Sequence, residues 1–259
     1  MSGIDPALQR FWPRLQAAAA RVLVLDYDGT LAPFTPDRDA ARPYPAVEEA
    51  LAAVLDTAGQ TRVVFVTGRS AAVLMRLMPL AARCEIWGSH GLERRRPSGA
   101  TGLPDIGAAP ARRLAQAKRA GARAGLAAHI EEKPGCVALH WRGLPPPEAQ
   151  RAQAALTPAW ARLAGAGLQL REFDGGIELR STLATKARAV EWVKREAGPD
   201  AVLAFLGDDL TDEDGFRVLG ANDLRVLVRP EYRPTLADVW LRPPDELLAF
   251  LQKWRKILE

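Results

Sequence analysis

The sequence predicts an α/β fold: a parallel sheet with helices on both faces, into which a smaller α+β unit is inserted. Three observations predict it. Residues 22–25, 63–66 and 202–206 are short apolar runs without polar alternation, the pattern of strands buried on both faces. Each run empties into polar residues at its carboxyl end, where open α/β sheets place their ligands. Between about residues 100 and 182 the strand-helix alternation gives way to two successive helix-plus-hairpin patterns, which describes an α+β module.

The elements follow in order. Leu8, Phe11, Trp12 and Leu15 recur at helical spacing and predict an amphipathic first helix that feeds the strand at 22–25. Pro33, Pro36, Pro43 and Pro45 mark a loop. Val47, Ala50, Leu51, Val54 and Leu55 form the next helical stripe, followed by the strand at 63–66. Ser70 caps a helix to about Met78, stopped by Pro79, and residues 84–87 read as a third short strand. Arg94, Arg95 and Arg96, followed by Pro97, Ser98 and Gly99, read as a solvated loop.

In the inserted module an Ala/Arg-rich helix over about 110–127 precedes strands at 128–133 and 137–141, with Pro134-Gly135 as the turn between them. A helix over about 147–163 leads to strands at 168–173 and 177–180, joined by Asp174-Gly175-Gly176. The core resumes with a helix near 186–197 and the strand at 202–206. Residues 226–228 and 239–241 read as edge strands, and Leu247, Leu251, Trp254 and Leu258 place a closing helix. The organisation is therefore a Rossmann-like core of residues 1–101 and 183–259 carrying an insert of residues 102–182.

A chain of 259 residues can bury a full core, and 48% hydrophobic with 25% charged residues is ordinary for a globular protein. No apolar run approaches the roughly 18 to 20 residues of a membrane span, since 17–25 is already broken by Arg21. The opening residues, with Asp5, Pro6 and Trp12, do not resemble a signal peptide, so a cytoplasmic location is expected. Cys84 and Cys136 fit buried thiols of a reducing compartment better than a disulfide framework. A net charge of +4 comes from scattered arginines with few aromatics to stack bases, so no nucleic-acid partner is expected, and no membrane partner either. A monomer is the expected state.

Three apolar strands end in Asp26 and Asp28, in Thr67, and in Asp208, Asp209 and Asp212, while one helix start offers Lys186. If the strands lie side by side, these groups converge. Several carboxylates in one crevice repel each other and need a cation, and oxygen-only ligands select a hard ion, with Mg²⁺ the expected one. A carboxylate beside such an ion is a competent nucleophile toward phosphorus. A second acid two residues on can protonate a departing alkoxide and later activate water. Thr67 and Lys186 would hold phosphoryl oxygens as charge spreads over them. Duller readings stand beside these: Asp28 as a turn cap, Thr67 as a strand-exit residue, Lys186 as a surface lysine, and Asp209 and Glu213 as N-cap and first-turn acids of a helix.

Asp26-Tyr27-Asp28-Gly29-Thr30, Thr67, Lys186 and Gly207-Asp208-Asp209 together resemble, in the same order, the motif set of the haloacid dehalogenase superfamily. The resemblance implies Asp26 as nucleophile, Asp28 as general acid/base, and Mg²⁺ held by the Asp26 carboxylate, the Asp28 backbone carbonyl and Asp208, with Asp212 behind them. Within that superfamily the chain resembles the trehalose-6-phosphate phosphatases through Val66-Thr67-Gly68-Arg69, Gly88-Ser89-His90-Gly91-Leu92-Glu93, Glu131-Glu132-Lys133, His140-Trp141-Arg142, Gly176-Ile177-Glu178-Leu179-Arg180 and residues 207–213.

The resemblance implies that the insert is a cap that closes over a sugar phosphate. Gly68, Arg69, His90, Glu131, Lys133, Arg142, Gly176 and Glu178 would bind the substrate. Residues two apart in a strand share a face, so Glu131 with Lys133, His140 with Arg142 and Gly176 with Glu178 would each present a pair to one side. The implied reaction is hydrolysis of trehalose 6-phosphate through a phospho-aspartate. The same chemistry on another sugar or cyclitol phosphate, such as sucrose phosphate, is the nearest alternative, and a receiver-like phospho-aspartate signalling module a distant one.

Overall fold

A computed structural model describes residues 5–35, 37–57, 61–173 and 175–259; Pro36 and Asp174, read above as loop and turn residues, lie outside the described residues. The chain divides into two compact units, one of Met1–Gly102 with Thr185–Glu259 and one of Leu103–Ala184.

In the first unit the order is α1 (Pro6–Ala17), β1 (Ala20–Leu25), α2 (Val47–Asp56), β2 (Thr61–Val66), α3 (Ala71–Leu77), β3 (Glu85–Gly88), β4 (Glu93–Arg95) and β5 (Thr101–Gly102). The second unit holds α4 (Ala108–Arg123), β6 (Ile130–Lys133), β7 (Cys136–His140), α5 (Pro146–Ala161), β8 (Leu168–Phe173) and β9 (Gly176–Ser181). The first then resumes with α6 (Lys186–Ala197), β10 (Ala201–Gly207), α7 (Leu210–Arg217), β11 (Leu224–Val228), β12 (Val239–Leu241) and α8 (Asp245–Leu258).

The larger sheet runs β12-β11-β10-β1-β2-β3-β4-β5, parallel from β12 to β3 and antiparallel beyond. The absence of alternation in the apolar runs has a direct structural cause. Leu23, Leu25, Val63, Phe65, Ala204 and Leu206 pack under one layer with Leu15, Leu51, Leu74, Leu251 and Trp254 of α1, α2, α3 and α8. Val22, Val24, Val64, Val66, Leu203 and Phe205 pack on the other face with Ala189, Val190 and Val193 of α6 and Phe216 of α7. Every residue of the apolar runs packs in one of these two layers, so polar side chains have no place within them.

Register sets the level of the strand ends. Leu25 pairs with Leu206 on one side and with Phe65 on the other. The next residues, Asp26, Gly207 and Val66, are therefore level, and Thr67 and Asp208 lie one residue beyond.

Two expectations change. Residues 226–228 are not at an edge: β11 lies between β10 and β12, and only β12 closes that side. Arg94 and Arg95 are not loop residues but form β4, which pairs antiparallel with β3. Glu85 explains why. Its buried carboxylate accepts from Arg94 Nε (2.8 Å), Arg62 Nη2 (2.6 Å) and Trp87 Nε1 (2.8 Å), so Arg94 and Arg62 serve as its counter-charges, while Arg95 donates to the Ala82 carbonyl (2.9 Å).

The second unit is a four-stranded antiparallel sheet, β6-β7-β9-β8. Leu114 and Ala117 of α4 and Leu156 and Trp160 of α5 pack with Val137, Leu139, Ile177 and Leu179 on one side of the sheet. The turn after β6 uses Gly135 at φ +64°, and the one before β9 uses Gly175 at φ +85°, a region where an L side chain is strained.

Candidate active site

At the carboxyl ends of β1 and β10 the side chains close on one another. Lys186, the first residue of α6, is set there because Thr185 caps that helix, its hydroxyl accepting from the Arg188 N–H at 3.3 Å. Lys186 Nζ lies 2.7 Å from Asp26 Oδ1 and 2.7 Å from Asp212 Oδ1, and all three side chains are buried. Thr30, two residues past Asp28, points its hydroxyl between Asp26 Oδ2 (3.2 Å) and Asp208 Oδ1 (3.4 Å). One carboxylate oxygen from each of Asp26, Asp208 and Asp212 lies within 4.8 Å of the others.

Two glycines make this crowding possible. Gly29 stands at φ +84°, and a Cβ there would fall 2.2 Å from Asp208 Oδ2. A Cβ on Gly207 would fall 2.3 Å from Asp212 Cγ. Neither position tolerates a side chain without moving a carboxylate.

Electrostatics follow from burial. Burial, followed by repulsion from Asp26 and Asp212, pushes the Asp208 carboxyl far above the ordinary carboxylate range. Burial also raises Asp26, against the attraction of Lys186. Burial works against the Lys186 ammonium, yet Asp212 and Asp26 beside it hold it above its usual value. Three carboxylates thus face one ammonium, and Asp208 Oδ2 is buried without a hydrogen-bond partner among the described residues. The donor set is all oxygen and short of positive charge, which fits a hard divalent cation.

Asp28 sits apart from that cluster in a bidentate pair with Arg69, with Nε to Oδ2 at 2.7 Å and Nη2 to Oδ1 at 2.5 Å. Arg69, expected to bind substrate, is committed to Asp28 here. The loop after β2 is braced by β3 and its exit. The Thr67 carbonyl accepts from His90 N–H (2.9 Å), the Arg69 carbonyl from Ser89 N–H (2.8 Å), and Thr67 Oγ1 from Arg69 N–H (3.2 Å). Ser89, His90 and Gly91 all have positive φ, at +51°, +58° and +88°. The His90 ring lies where a Gly68 Cβ would be, 2.7 Å from Cε1, so Gly68 is required for that contact.

The second unit gathers its predicted residues on one sheet face. Register aligns Glu131 with Ala138, Ala138 with Glu178, and His140 with Gly176, so these side chains and Lys133 share a side. Glu131 Oε2 lies 2.7 Å from His140 Nε2 and 3.6 Å from Lys133 Nζ. Glu178 Oε1 accepts from Arg180 Nη1 at 3.0 Å. Gly176 has a packing reason of its own, since a Cβ would fall 2.1 Å from the Phe173 ring. Arg142 departs from the strand-face expectation: it lies in the turn beyond β7, where its backbone N–H meets the Gly175 carbonyl at 3.3 Å.

Sequence reasoning assigned no role to Thr30, to the direct contact of Asp212 with Lys186, or to Arg233, whose guanidinium reaches the Asp208 carbonyl. Thr30 and Asp212 stood inside quoted motifs, so their position carried a signal. Arg233 has none, because nothing local distinguishes it from other loop arginines.

Comparison with known proteins gives concordant matches. The trehalose-phosphatase family model matches residues 24–235. A trehalose-phosphate phosphatase of Mycobacterium marinum is 34% identical over 269 residues, covering 96% of this chain and 65% of that protein. One of Mycolicibacterium paratuberculosis is 34% identical over 281 residues, covering 100% of this chain and 68% of that protein. The chain thus spans about two thirds of the length of these curated relatives, and slightly less for the first. Among solved structures, the C-terminal domain of a Candida albicans trehalose-6-phosphate phosphatase superposes with a TM-score of 0.73 at 22% identity, covering 99% of both chains.

Proposed function

The chain belongs to the trehalose-phosphatase family, and we propose that it hydrolyses trehalose 6-phosphate to trehalose and phosphate. The observation that carries the chemistry is the buried Asp26 carboxylate, 2.7 Å from Lys186 Nζ and clustered with Asp208 and Asp212. Asp26 Oδ attacks phosphorus, an O–P bond forms, and the bond from phosphorus to the sugar oxygen breaks. Asp28, once released from Arg69 and protonated from solvent, gives that proton to the sugar oxygen, then takes one from the water that cleaves the acyl phosphate and restores Asp26. Arg69 holds Asp28 until a phosphoryl group competes for the same guanidinium, which frees the carboxyl for proton transfer.

Lys186 and Thr30 orient Asp26, and with Thr67 they hold the oxygens of the transferred group. Asp26, the Asp28 carbonyl and Asp208 would hold Mg²⁺, which when bound neutralises charge on the phosphoryl oxygens. On the insert, Glu131, Lys133, His140 and Glu178 offer acceptors and donors on one face, chemistry suited to sugar hydroxyls, with Arg142, Gly176, Gly68 and His90 completing the proposed substrate contacts. The same reading takes the enzyme to be a cytoplasmic monomer acting on a dissolved sugar phosphate.

Phosphate release from trehalose 6-phosphate, sucrose 6-phosphate and glucose 6-phosphate, with Mg²⁺ and with a chelator, tests this. The expected result is a kcat/KM for trehalose 6-phosphate at least about tenfold above the others, no turnover with chelator, and none in Asp26→Asn. A preference for sucrose 6-phosphate would keep the chemistry and overturn the substrate; turnover by Asp26→Asn would overturn the nucleophile.

A further inference from the structure

The loop that carries Asp208 is held from two directions, and one grip comes from a residue distant in sequence. After β10 the chain turns through Gly207, Asp208 and Asp209 into α7. On one side Asp212 Oδ2 accepts from the backbone N–H of Asp208 (3.1 Å) and of Asp209 (3.0 Å). On the other, Arg233, between β11 and β12, donates from Nε to the Asp208 carbonyl (3.0 Å) and from Nη2 to the Asp209 carbonyl (2.8 Å). Arg229 Nη1 reaches the Asp208 carbonyl as well, at 3.4 Å.

Arg233 is itself fixed. Its Nη1 donates to Glu213 Oε1 at 2.6 Å and to the Pro234 carbonyl at 2.9 Å. Glu213 is completed by the Thr235 hydroxyl (2.7 Å) and the Leu236 N–H (2.9 Å).

We propose that Arg233 is a positioning residue for Asp208: by gripping two successive carbonyls it fixes the backbone on which the Asp208 carboxylate is aimed at the cation site. The inference rests on the reading of Asp208 as a metal ligand. A peptide group is planar, so the direction of a Cα–Cβ bond is set by the two peptide planes flanking that Cα. Asp212 pins the plane before Asp208 through its N–H. Arg233 pins the plane after it through its C=O, and Asp212 pins that same plane through the Asp209 N–H. Both rotations about Asp208 are therefore fixed without any contact to its carboxylate, whose Oδ2 is buried and has no hydrogen-bond partner among the described residues.

The task needs arginine. A guanidinium presents donors in a rigid fork that spans two acceptors while its third nitrogen anchors on Glu213; a lysine ammonium is a single point charge on a flexible stem. Partners that orient metal ligands are typically worth about 10–100-fold in metal affinity or activity.

The test is Mg²⁺ binding to the full chain without substrate, by calorimetry, for the parent, Arg233→Lys and Glu213→Gln, together with kcat as a function of Mg²⁺ concentration. For Arg233→Lys the expected result is a Kd for Mg²⁺ raised about 10–100-fold and turnover that recovers as Mg²⁺ is increased. Glu213→Gln, which removes the charge facing Arg233 and keeps a single side-chain acceptor oxygen where Glu213 has two, is expected to show a smaller shift of the same kind and stands in should Arg233→Lys not fold. A folded variant that binds Mg²⁺ like the parent overturns the proposal, as does a loss of kcat that added Mg²⁺ does not restore. A parent that takes up no Mg²⁺ overturns it too. Because binding is read without a sugar phosphate, a wrong substrate assignment leaves this outcome intact.

Discussion

At the scale of single residues, the candidate site is defined as much by what is missing as by what is present. Gly29 combines φ +84° with a Cβ position 2.2 Å from Asp208 Oδ2. In Gly29→Ala the left-handed backbone costs roughly 1–2 kcal/mol, and the added methyl also displaces Asp208. The expected outcome is a lowered thermal midpoint with turnover reduced more than that destabilisation explains, read as kcat well below the unfolding transition; normal turnover would show that Asp208 has room to move. Asp26, Thr67, Lys186 and Asp208 were legible in sequence because each follows an apolar strand or opens a helix, places where side-chain identity and backbone position are read together. The commitment of Arg69 to Asp28 was not legible, since a guanidinium next to a phosphate site is equally expected to face the phosphate. Arg233 could not be found at all, because the groups it grips at the Asp208 loop are backbone carbonyls, which carry no sequence signature, and its ion pair with Glu213 joins residues far apart in the chain.

At the scale of elements, the strands with continuous apolar runs were the most legible part of the fold, since burial on two faces leaves no other composition possible. The three consecutive arginines were misleading for the opposite reason: a run of one residue type has no period, and Arg94 and Arg95 belong to a strand beside β3, where Arg94 pairs with the buried Glu85. Arg94 also pairs with Glu196 of α6, with Nη1 to Oε1 at 2.7 Å and Nη2 to Oε2 at 2.5 Å.

Hydrogen bonds from Arg94, then from Arg62 and Trp192, outweigh partial burial and hold the Glu196 carboxyl down at about 2. Its folded pKa lies below that of an unfolded glutamate, about 4.3. The stabilisation is therefore complete above that value and is lost as pH falls from there toward 2. Thermal midpoints measured from pH 6 to pH 2 should fall less steeply for Glu196→Gln than for the parent, the two curves converging at the acid end. Parallel curves would mean that the network does not hold in solution. Salt should weaken the effect, because Glu196 is about one-third exposed.

At the scale of the whole chain, each of the two units holds one buried free cysteine, Cys84 in the first and Cys136 in the second. Burial pushes the Cys84 thiol up to about 12, against the nearby Arg83 and Arg95, and burial with the neighbouring Glu178 raises Cys136. Neither thiol should be alkylated by iodoacetamide at pH 8 in the folded protein, and both should be in denaturant, read by mass. Their labelling rates at intermediate denaturant report whether the units open together, since each thiol marks one of them; rapid labelling of the native chain would contradict the burial. The chain leaves for the insert after β5, at the outer rim of the larger sheet, and returns at Thr185, immediately before Lys186. A transplant of a foreign insert would therefore have one seam far out on the sheet and the other a single peptide bond from the ammonium that faces Asp26. Exchanging the insert is cheap at the first splice and delicate at the second, where the donor's last residues decide whether the helix carrying that ammonium still starts in the right place.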